Sequence, residues 1–244
     1  KFAEKVIRFT DAKPIYKEIN SLKTIEYLDD FLFDLEEIYE PHIGTWLIYR
    51  EMRHNGICVS MDGHGGDEAL AGYSRYSVFA MQDAIWPKFN IRRWFELKST
   101  LRDLYPKGIN YSLPTPMDSL KGALLQQWPE TYKFIRSIYQ GIQLNQKKLY
   151  VPNEFNWMYK EHPSFTYNSK KNRIPSSVHY DILNRQLYIE FHHTILPTIL
   201  RNFDRLSMAH GVEIRAPFMD WRLVCFLFSL PSYSKIGKGF TKRI

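Results

Sequence analysis

At 244 residues the chain has room for one large domain or two small ones. Its 44% hydrophobic and 16% aromatic content supplies an ample core, and its longest apolar runs, such as residues 224–230, are far too short to span a bilayer. The net charge of +7 suits an anionic partner such as ATP or nucleic acid. It is spread along the chain, however, and only residues 170–173 and 235–243 are dense, which favours solvated loops over a nucleic-acid patch.

The N-terminal residues Lys1-Phe2-Ala3-Glu4-Lys5-Val6 hold neither a signal-peptide core nor an initiator Met, so the chain is expected to begin inside a longer protein. Residues 1–42 mix short strand-like and helical pieces. Residues 43–55 predict a helix with Trp46, Leu47 and Arg50 on one face and Gly56 as its C′ stop. An apolar strand over 57–61 follows at once, then a turn with three glycines, then a helix opening at Asp67-Glu68. Helix, strand, turn and helix in that order make one unit of a parallel α/β sheet. Beyond Ser74, residues 81–104, 117–144 and 176–200 predict mainly helix, broken by Pro87, Pro106, Pro114 and Pro129, with an irregular connection over 148–173. A helix over 202–210 closes at Gly211, and 212–216 is extended into Pro217. Asp220 then caps a helix over 221–229 that Pro231 stops. A basic tail with Gly237 and Gly239 ends the chain. The expected organisation is an α/β part over 1–80 and a mainly helical part over 81–244. Cys58 and Cys225, in apolar contexts without a CxxC, read as buried thiols of a reducing cytoplasm.

The turn Asp62-Gly63-His64-Gly65-Gly66-Asp67-Glu68 holds the most chemistry. A glycine turn between strand end and helix start lets backbone N–H groups and the helix dipole meet an anion. Acidic residues there repel a bare phosphate, so Asp62 and Asp67 imply either a metal ion bridging carboxylate and phosphate or a structural N-cap. Neither GxGxxG nor GK[ST] is present. Glu51-x-x-His54 and Glu190-x-x-His193 match the pairs of a di-metal bundle, with surface and cap histidines as the alternative. No GxSxG elbow supports a hydrolase. The charges Asp204, Arg205, Glu213, Arg215, Asp220 and Arg222 predict paired networks that brace a site or an interface.

Two segments together resemble the asparagine synthetase family. Ser60-Met61-Asp62-Gly63-His64-Gly65-Gly66-Asp67-Glu68-Ala69-Leu70-Ala71-Gly72-Tyr73 is similar to its SG(E/D)G(A/G)DE-x-x-GGY loop. Arg201-Asn202-Phe203-Asp204-Arg205-Leu206-Ser207-Met208-Ala209-His210-Gly211-Val212-Glu213-Ile214-Arg215-Ala216-Pro217-Phe218-Met219-Asp220-Trp221-Arg222-Leu223-Val224 resembles its DR-x-SMAH-x-xE-x-R-x-PF-x-D-x-x-LV segment. Thr241-Lys242 falls where members carry a (T/E)K-x-x-LR lysine. The resemblance implies a ligase of asparagine biosynthesis with an ATP-pyrophosphatase fold, a parallel sheet with a large helical remainder. Such an enzyme activates a carboxylate as an acyl-adenylate and forms an amide with ammonia from a glutaminase domain. By resemblance, Asp67 holds Mg²⁺, and Gly65 and Gly66 bring backbone close to the phosphates. Asp62 and Gly63 lie at the nucleotide-contacting Ser-Gly, Lys242 stabilises charge on the α-phosphate, and Tyr73 sits beside the acyl-adenylate.

Two departures stand out: Asp62 replaces the family's Ser, and His64 replaces an acidic residue that helps position aspartyl adenylate and ammonia. His64 therefore favours an amidotransferase or cyclase acting on another carboxylate, and a catalytically silent module of the same fold is a further alternative. The family's SGGLDSS loop, N-terminal nucleophilic Cys and glutaminase domain are expected before Lys1, which makes this the carboxy-proximal part of a synthetase. Homodimerisation and a cytoplasmic location, with no nucleic-acid or membrane partner, complete the expectations.

Overall fold

Two helix-to-strand joints of the same design build the small sheet of this protein. In the computed structural model, which describes residues 2–20, 23–36, 42–104, 113–128 and 181–243, helix Ile43–His54 leads into strand Val59–Met61 (β1) and helix Ile195–Met208 leads into strand Glu213–Arg215 (β2). At the first joint Gly56 N–H donates to Arg53 O at 3.0 Å and Ile57 N–H to Met52 O at 2.9 Å. At the second, Gly211 N–H donates to Met208 O and Val212 N–H to Ser207 O, both at 3.0 Å. This paired closure needs a left-handed residue, and Gly56 (φ 74°) and Gly211 (φ 67°) supply it. Both joints turn their chains the same way, and β1 and β2 pair in parallel with Val59 opposite Glu213, Ser60 opposite Ile214 and Met61 opposite Arg215. The predicted strand began at Ile57. It begins two residues later because the Ile57 N–H is committed to the helix end.

The chain divides into two compact units, residues 1–64 with 198–217 and residues 65–197 with 218–244. The expected division near residue 80 separated element types, whereas these units separate packed cores. In chain order the α-helices among the described residues are α1 (Phe2–Thr10), α2 (Leu28–Leu35), α3 (Ile43–His54), α4 (Gly66–Leu70), α5 (Tyr76–Ile85), α6 (Ile91–Leu104), α7 (Pro116–Gln127), α8 (Ile182–His192), α9 (Ile195–Met208), α10 (Trp221–Ser229) and α11 (Ser232–Lys235). The predicted break between 200 and 202 lies instead at His193-Thr194, and α9 runs through Arg201 unbroken. The irregular connection predicted over 148–173, like the second half of the helix predicted over 117–144, lies outside the described residues. No described helix is long and apolar enough to cross a membrane.

The first unit closes on Phe31, Leu35, Trp46, Leu47, Tyr49, Leu206 and Val212. Trp46 Nε1 donates to Asp34 Oδ2 at 2.9 Å, and the Arg50 guanidinium lies 4.8 Å over the Tyr27 ring. The core therefore ends in a polar, cation-capped rim. Neither face of β1 is fully covered, and Val59 and Met61 stay exposed. Cys58, just before β1, is exposed for the same reason, and Cys225 sits on the outer face of α10, which buries only Leu227 and Phe228. Both cysteines were expected to be buried. An apolar sequence context does not bury a residue that a two-stranded sheet or an amphipathic helix turns outward.

The second unit packs α6, α7 and α8 around α5, which is buried almost all round, from Tyr76 and Ser77 to Ala80–Ile85. The N-terminus of α8 is capped from two directions. Asp181 accepts from Asn184 N–H at 2.9 Å, while Asp83 on α5 accepts from Ile182 N–H at 2.7 Å and Leu183 N–H at 2.9 Å. Burial, then the nearby Asp181, pushes Asp83 up to about 7 despite those two donors. A carboxyl raised in the folded state contributes stability below its unfolded pKa and loses it as pH climbs through the folded one. Stability is therefore expected to fall by up to about 4 kcal/mol between about pH 4 and pH 7 through this group. Asp83→Asn should remove that decline. Urea titrations of both proteins at about pH 5 and pH 8 check it, and parallel pH dependence would exclude Asp83 as the source.

α10 follows its predicted bounds, since Asp220 accepts from Arg222 N–H at 2.9 Å and Leu223 N–H at 3.4 Å. Four of the six charges predicted to form networks make two separate pairs, Arg215 Nε with Glu213 Oε1 at 2.9 Å and Arg222 Nη2 with Asp220 Oδ2 at 2.7 Å, while Arg205 donates to the Leu35 carbonyl at 2.7 Å and lies 3.7 Å from Glu36.

Candidate functional site

The glycine turn passes from the first unit to the second at the His64–Gly65 bond, so its residues fall into two groups, each held by its own unit.

In the first unit, Asp62 leaves the end of β1 with its N–H bonded to Arg215 O on β2 at 2.9 Å. Tyr49 Oη donates to Asp62 Oδ2 at 2.8 Å, and Ser60 Oγ donates to Oδ1. Burial first, and then this hydrogen bond, raises the Tyr49 pKa, so the phenol stays a donor. Sheet, helix and strand thus fix one carboxylate through two neutral donors. Gly63 is exposed and faces open space. His64 turns inward and sits edge-on to Phe203, with ring centroids 4.5 Å apart. Its Nδ1 is buried without a hydrogen-bond partner, 3.8 Å from Asp62 Oδ2. The imidazole lines a cavity of about 340 Å³ together with Leu200, Arg201, Phe203, Asp204, Ile214 and Ala216. Apolar walls with an acid, a base and an imidazole suit a small amphipathic molecule.

In the second unit, Gly65 (φ 88°) is the N-cap of α4, and no side chain caps that helix. Asp67 is therefore not the structural N-cap that its position allowed. Its Oδ1 lies 2.9 Å from Lys242 Nζ, both side chains partly exposed. The two residues singled out as metal ligand and catalytic lysine thus meet across 175 positions of sequence. Gly72 permits the meeting: a Cβ there would lie 1.8 Å from Asp67 Oδ1 and 2.5 Å from Lys242 Cε. The chain returns over Asp67 because Ala71 is left-handed (φ 56°) and Gly72 N–H donates to Asp67 O at 2.8 Å. Gly65 and Gly66 are buried against side chains. Cβ atoms on them would lie 3.1 Å from Met219 Sδ and 3.5 Å from the Phe218 ring.

Tyr73 Oη donates to the buried Glu68 at 2.8 Å, and burial followed by this bond raises its pKa. The Arg75 guanidinium lies 4.5 Å over the Tyr73 ring and pairs with Glu190 Oε2 at 2.6 Å. Glu190 also accepts from Tyr76 Oη and, at 2.8 Å, from Gln186 Nε2. Glu51 accepts from Lys17 at 2.8 Å and Asn55 at 3.1 Å. The glutamates of both Glu-x-x-His pairs are thus engaged in protein hydrogen bonds, and no three metal-ligating side chains gather among the described residues. Sequence reasoning missed Tyr49, Gly72 and the Glu68–Tyr73 pair. Gly72 and Glu68 stood inside the quoted motif, whereas nothing local marked Tyr49 as the partner of Asp62.

The tail was expected to be a solvated loop, yet it is anchored: Lys235 is fully buried, with Nζ on Asn184 Oδ1 at 2.7 Å and 5.1 Å over the Phe228 ring. Burial, opposed by Asp181, pushes Lys235 down to about 8. Gly237 and Phe240 close a tight bridge with two 3.0 Å bonds, and Arg243 N–H bonds Lys235 O at 3.1 Å. Lys242 projects from an anchored loop.

Asp67 suits a hard cation, because its carboxylate already holds an ammonium group and stays accessible. Lys242 suits an anionic oxygen for the complementary reason. These features define a mixed α/β domain with a paired acid and lysine at the opening of a short helix. The chain belongs to the asparagine synthase family, whose model matches residues 1–244. Asparagine synthetase (glutamine-hydrolyzing) 1 of Bacillus subtilis is 21% identical over 222 residues, covering 90% of this chain and 31% of that protein. Putative asparagine synthetases (glutamine-hydrolyzing) of Mycobacterium bovis and Mycobacterium tuberculosis are 24% identical over 238 residues, covering 95% of this chain and 33% of theirs. The chain spans about a third of the length of these relatives. No solved structure matches it.

Proposed function

We propose that this chain is the carboxylate-activating part of an ATP-dependent, amide-forming synthetase built on an ATP-pyrophosphatase fold. One observation carries the proposal: Lys242 Nζ lies 2.9 Å from Asp67 Oδ1 at the opening of α4, held there by the absence of a side chain at Gly72. Asp67 would hold Mg²⁺, which when bound would supply positive charge to the phosphates. Lys242 meets the charge that builds on the α-phosphate as a carboxylate oxygen attacks it and the bond to pyrophosphate breaks. Gly63, Gly65 and Gly66 supply backbone for the nucleotide. Asp62, fixed by Tyr49 and Ser60, orients it, and Tyr73 lies beside the acyl group. Ammonia freed from glutamine by a separate glutaminase domain then attacks the acyl carbon. The bond to AMP breaks, a proton is lost, and the amide remains. The working form is proposed as a cytoplasmic homodimer.

Aspartate is the acceptor expected by analogy with the relatives. His64 favours a second possibility, an amidotransferase or cyclase acting on another carboxylate, because an imidazole in the cavity wall lacks the negative charge with which an acidic residue there would match the ammonium group of aspartate. ATP–pyrophosphate exchange by the full-length protein, with aspartate and a panel of other carboxylic acids, separates these cases. Exchange that depends on one acid names the acceptor, while no exchange with any acid would leave a silent module of the same fold. His64→Glu should change which acid supports exchange and alter the KM for ATP less than about threefold. Identical acceptor profiles for the two proteins would contradict the assignment.

A further inference from the structure

Lys242 reaches Asp67 from a loop whose backbone has little regular structure of its own, and one face of α6 holds that loop. Arg93, Glu96 and Thr100 stand at i, i+3 and i+7 on the helix, which brings them to the same side. Arg93 Nη2 donates to the Ile236 carbonyl. Glu96 Oε1 accepts from Lys238 N–H at 2.9 Å and from Arg93 Nη1 at 2.7 Å. The Thr100 hydroxyl accepts from Gly239 N–H at 3.0 Å and donates to the Glu96 carbonyl at 3.0 Å, so both its capacities are used. Three side chains thus engage the backbone of residues 236, 238 and 239, and Lys242 follows three residues later. Gly237 makes room for the grip, because a Cβ there would lie 2.4 Å from Arg93 Nη1. The loop also has left-handed Lys238 (φ 52°) and Lys242 (φ 49°), a geometry that non-glycine residues adopt only when their surroundings impose it.

We propose that Arg93, Glu96 and Thr100 are positioning residues for Lys242: they fix the loop so that its ammonium group is set against Asp67 before substrate arrives. A flexible tail would have to order Lys242 during each turnover, whereas a clamped one spends that entropy at folding. The inference rests on the proposed role of Lys242 in adenylation. It adds that the lysine's effect depends on three residues about 140 positions earlier, none of which needs to touch substrate.

The test uses the full-length protein and pyrophosphate exchange in four forms: wild type, Glu96→Ala with Thr100→Val, Lys242→Ala, and all three together. Hydrogen exchange at the amides of 236–240 is read in parallel. The clamp variant should exchange those amides faster and lose about tenfold or more in kcat, with KM for ATP within about threefold. In the Lys242→Ala background the same two substitutions should cost nothing further. Glu96→Gln and Thr100→Ser, which keep the acceptor oxygens, should restore most of the rate. An equal loss in both backgrounds, or faster amide exchange with an unchanged rate, would overturn the clamp alone. Full activity in Lys242→Ala would instead overturn the role of the lysine, and the clamp's purpose with it.

Discussion

Asp67→Asn in the full-length protein is expected to cut pyrophosphate exchange by about a hundredfold or more, roughly 2.7 kcal/mol in the barrier, with the fold intact. The loss follows from replacing a charged oxygen that Mg²⁺ requires with an amide that it binds poorly. The fold survives because the ion pair being broken is partly exposed, and such pairs contribute about 0–1 kcal/mol. Asn also keeps the size of Asp under Gly72, so no cavity opens. Circular dichroism and melting temperature should match the wild type while exchange is lost. Exchange within about threefold of wild type would remove Asp67 as the metal ligand.

Lys242→Ala should lower kcat by a similar factor of about a hundred while leaving the KM for ATP nearly unchanged, which marks an interaction made in the transition state. The anchored loop bears on this outcome. Residues 235–240 keep their contacts when the side chain is cut back to Ala, so the loss reports on the ammonium group rather than on a loosened tail. A rise in KM with kcat preserved would make Lys242 a solvated binding charge. Gly72→Ala offers an independent probe of the same pair. A Cβ 1.8 Å from Asp67 Oδ1 forces the carboxylate and the lysine apart without deleting either charge. It should impair exchange as strongly as either single substitution.

The sequence spoke most clearly where structure is set by neighbouring residues. Asp220 announced the start of α10, and Gly56 and Gly211 announced the ends of α3 and α9 and, with them, the two strands that pair. Asp67 and Lys242 were legible as a pair only through resemblance, since no local pattern links them. The structure adds the 2.9 Å approach and the glycine that allows it. What stayed hidden was long-range. Tyr49 on Asp62, Asp83 on the start of α8, and the grip of α6 on the tail join residues 13 to about 140 positions apart. Hydrogen bonds between distant elements leave no periodicity in the chain. The tail looked like a solvated loop because its glycines and lysines are the residues of such loops, yet its backbone groups are bonded to side chains of α6. Both cysteines looked buried because apolar neighbours say how hydrophobic a segment is, and not which way a given residue faces.

The central claim is that a carboxylate is activated by transfer to the α-phosphate of ATP. The most direct measurement follows ¹⁸O from the carboxylate of whichever acid supports exchange in the full-length protein, with mass spectrometry of the phosphorus-containing products. Adenylation carries one labelled oxygen into AMP when ammonia displaces it, and the pyrophosphate stays unlabelled. Label in inorganic phosphate with ADP as the nucleotide product would mean that the acid attacks the γ-phosphate, and the roles given to Asp67 and Lys242 would be wrong.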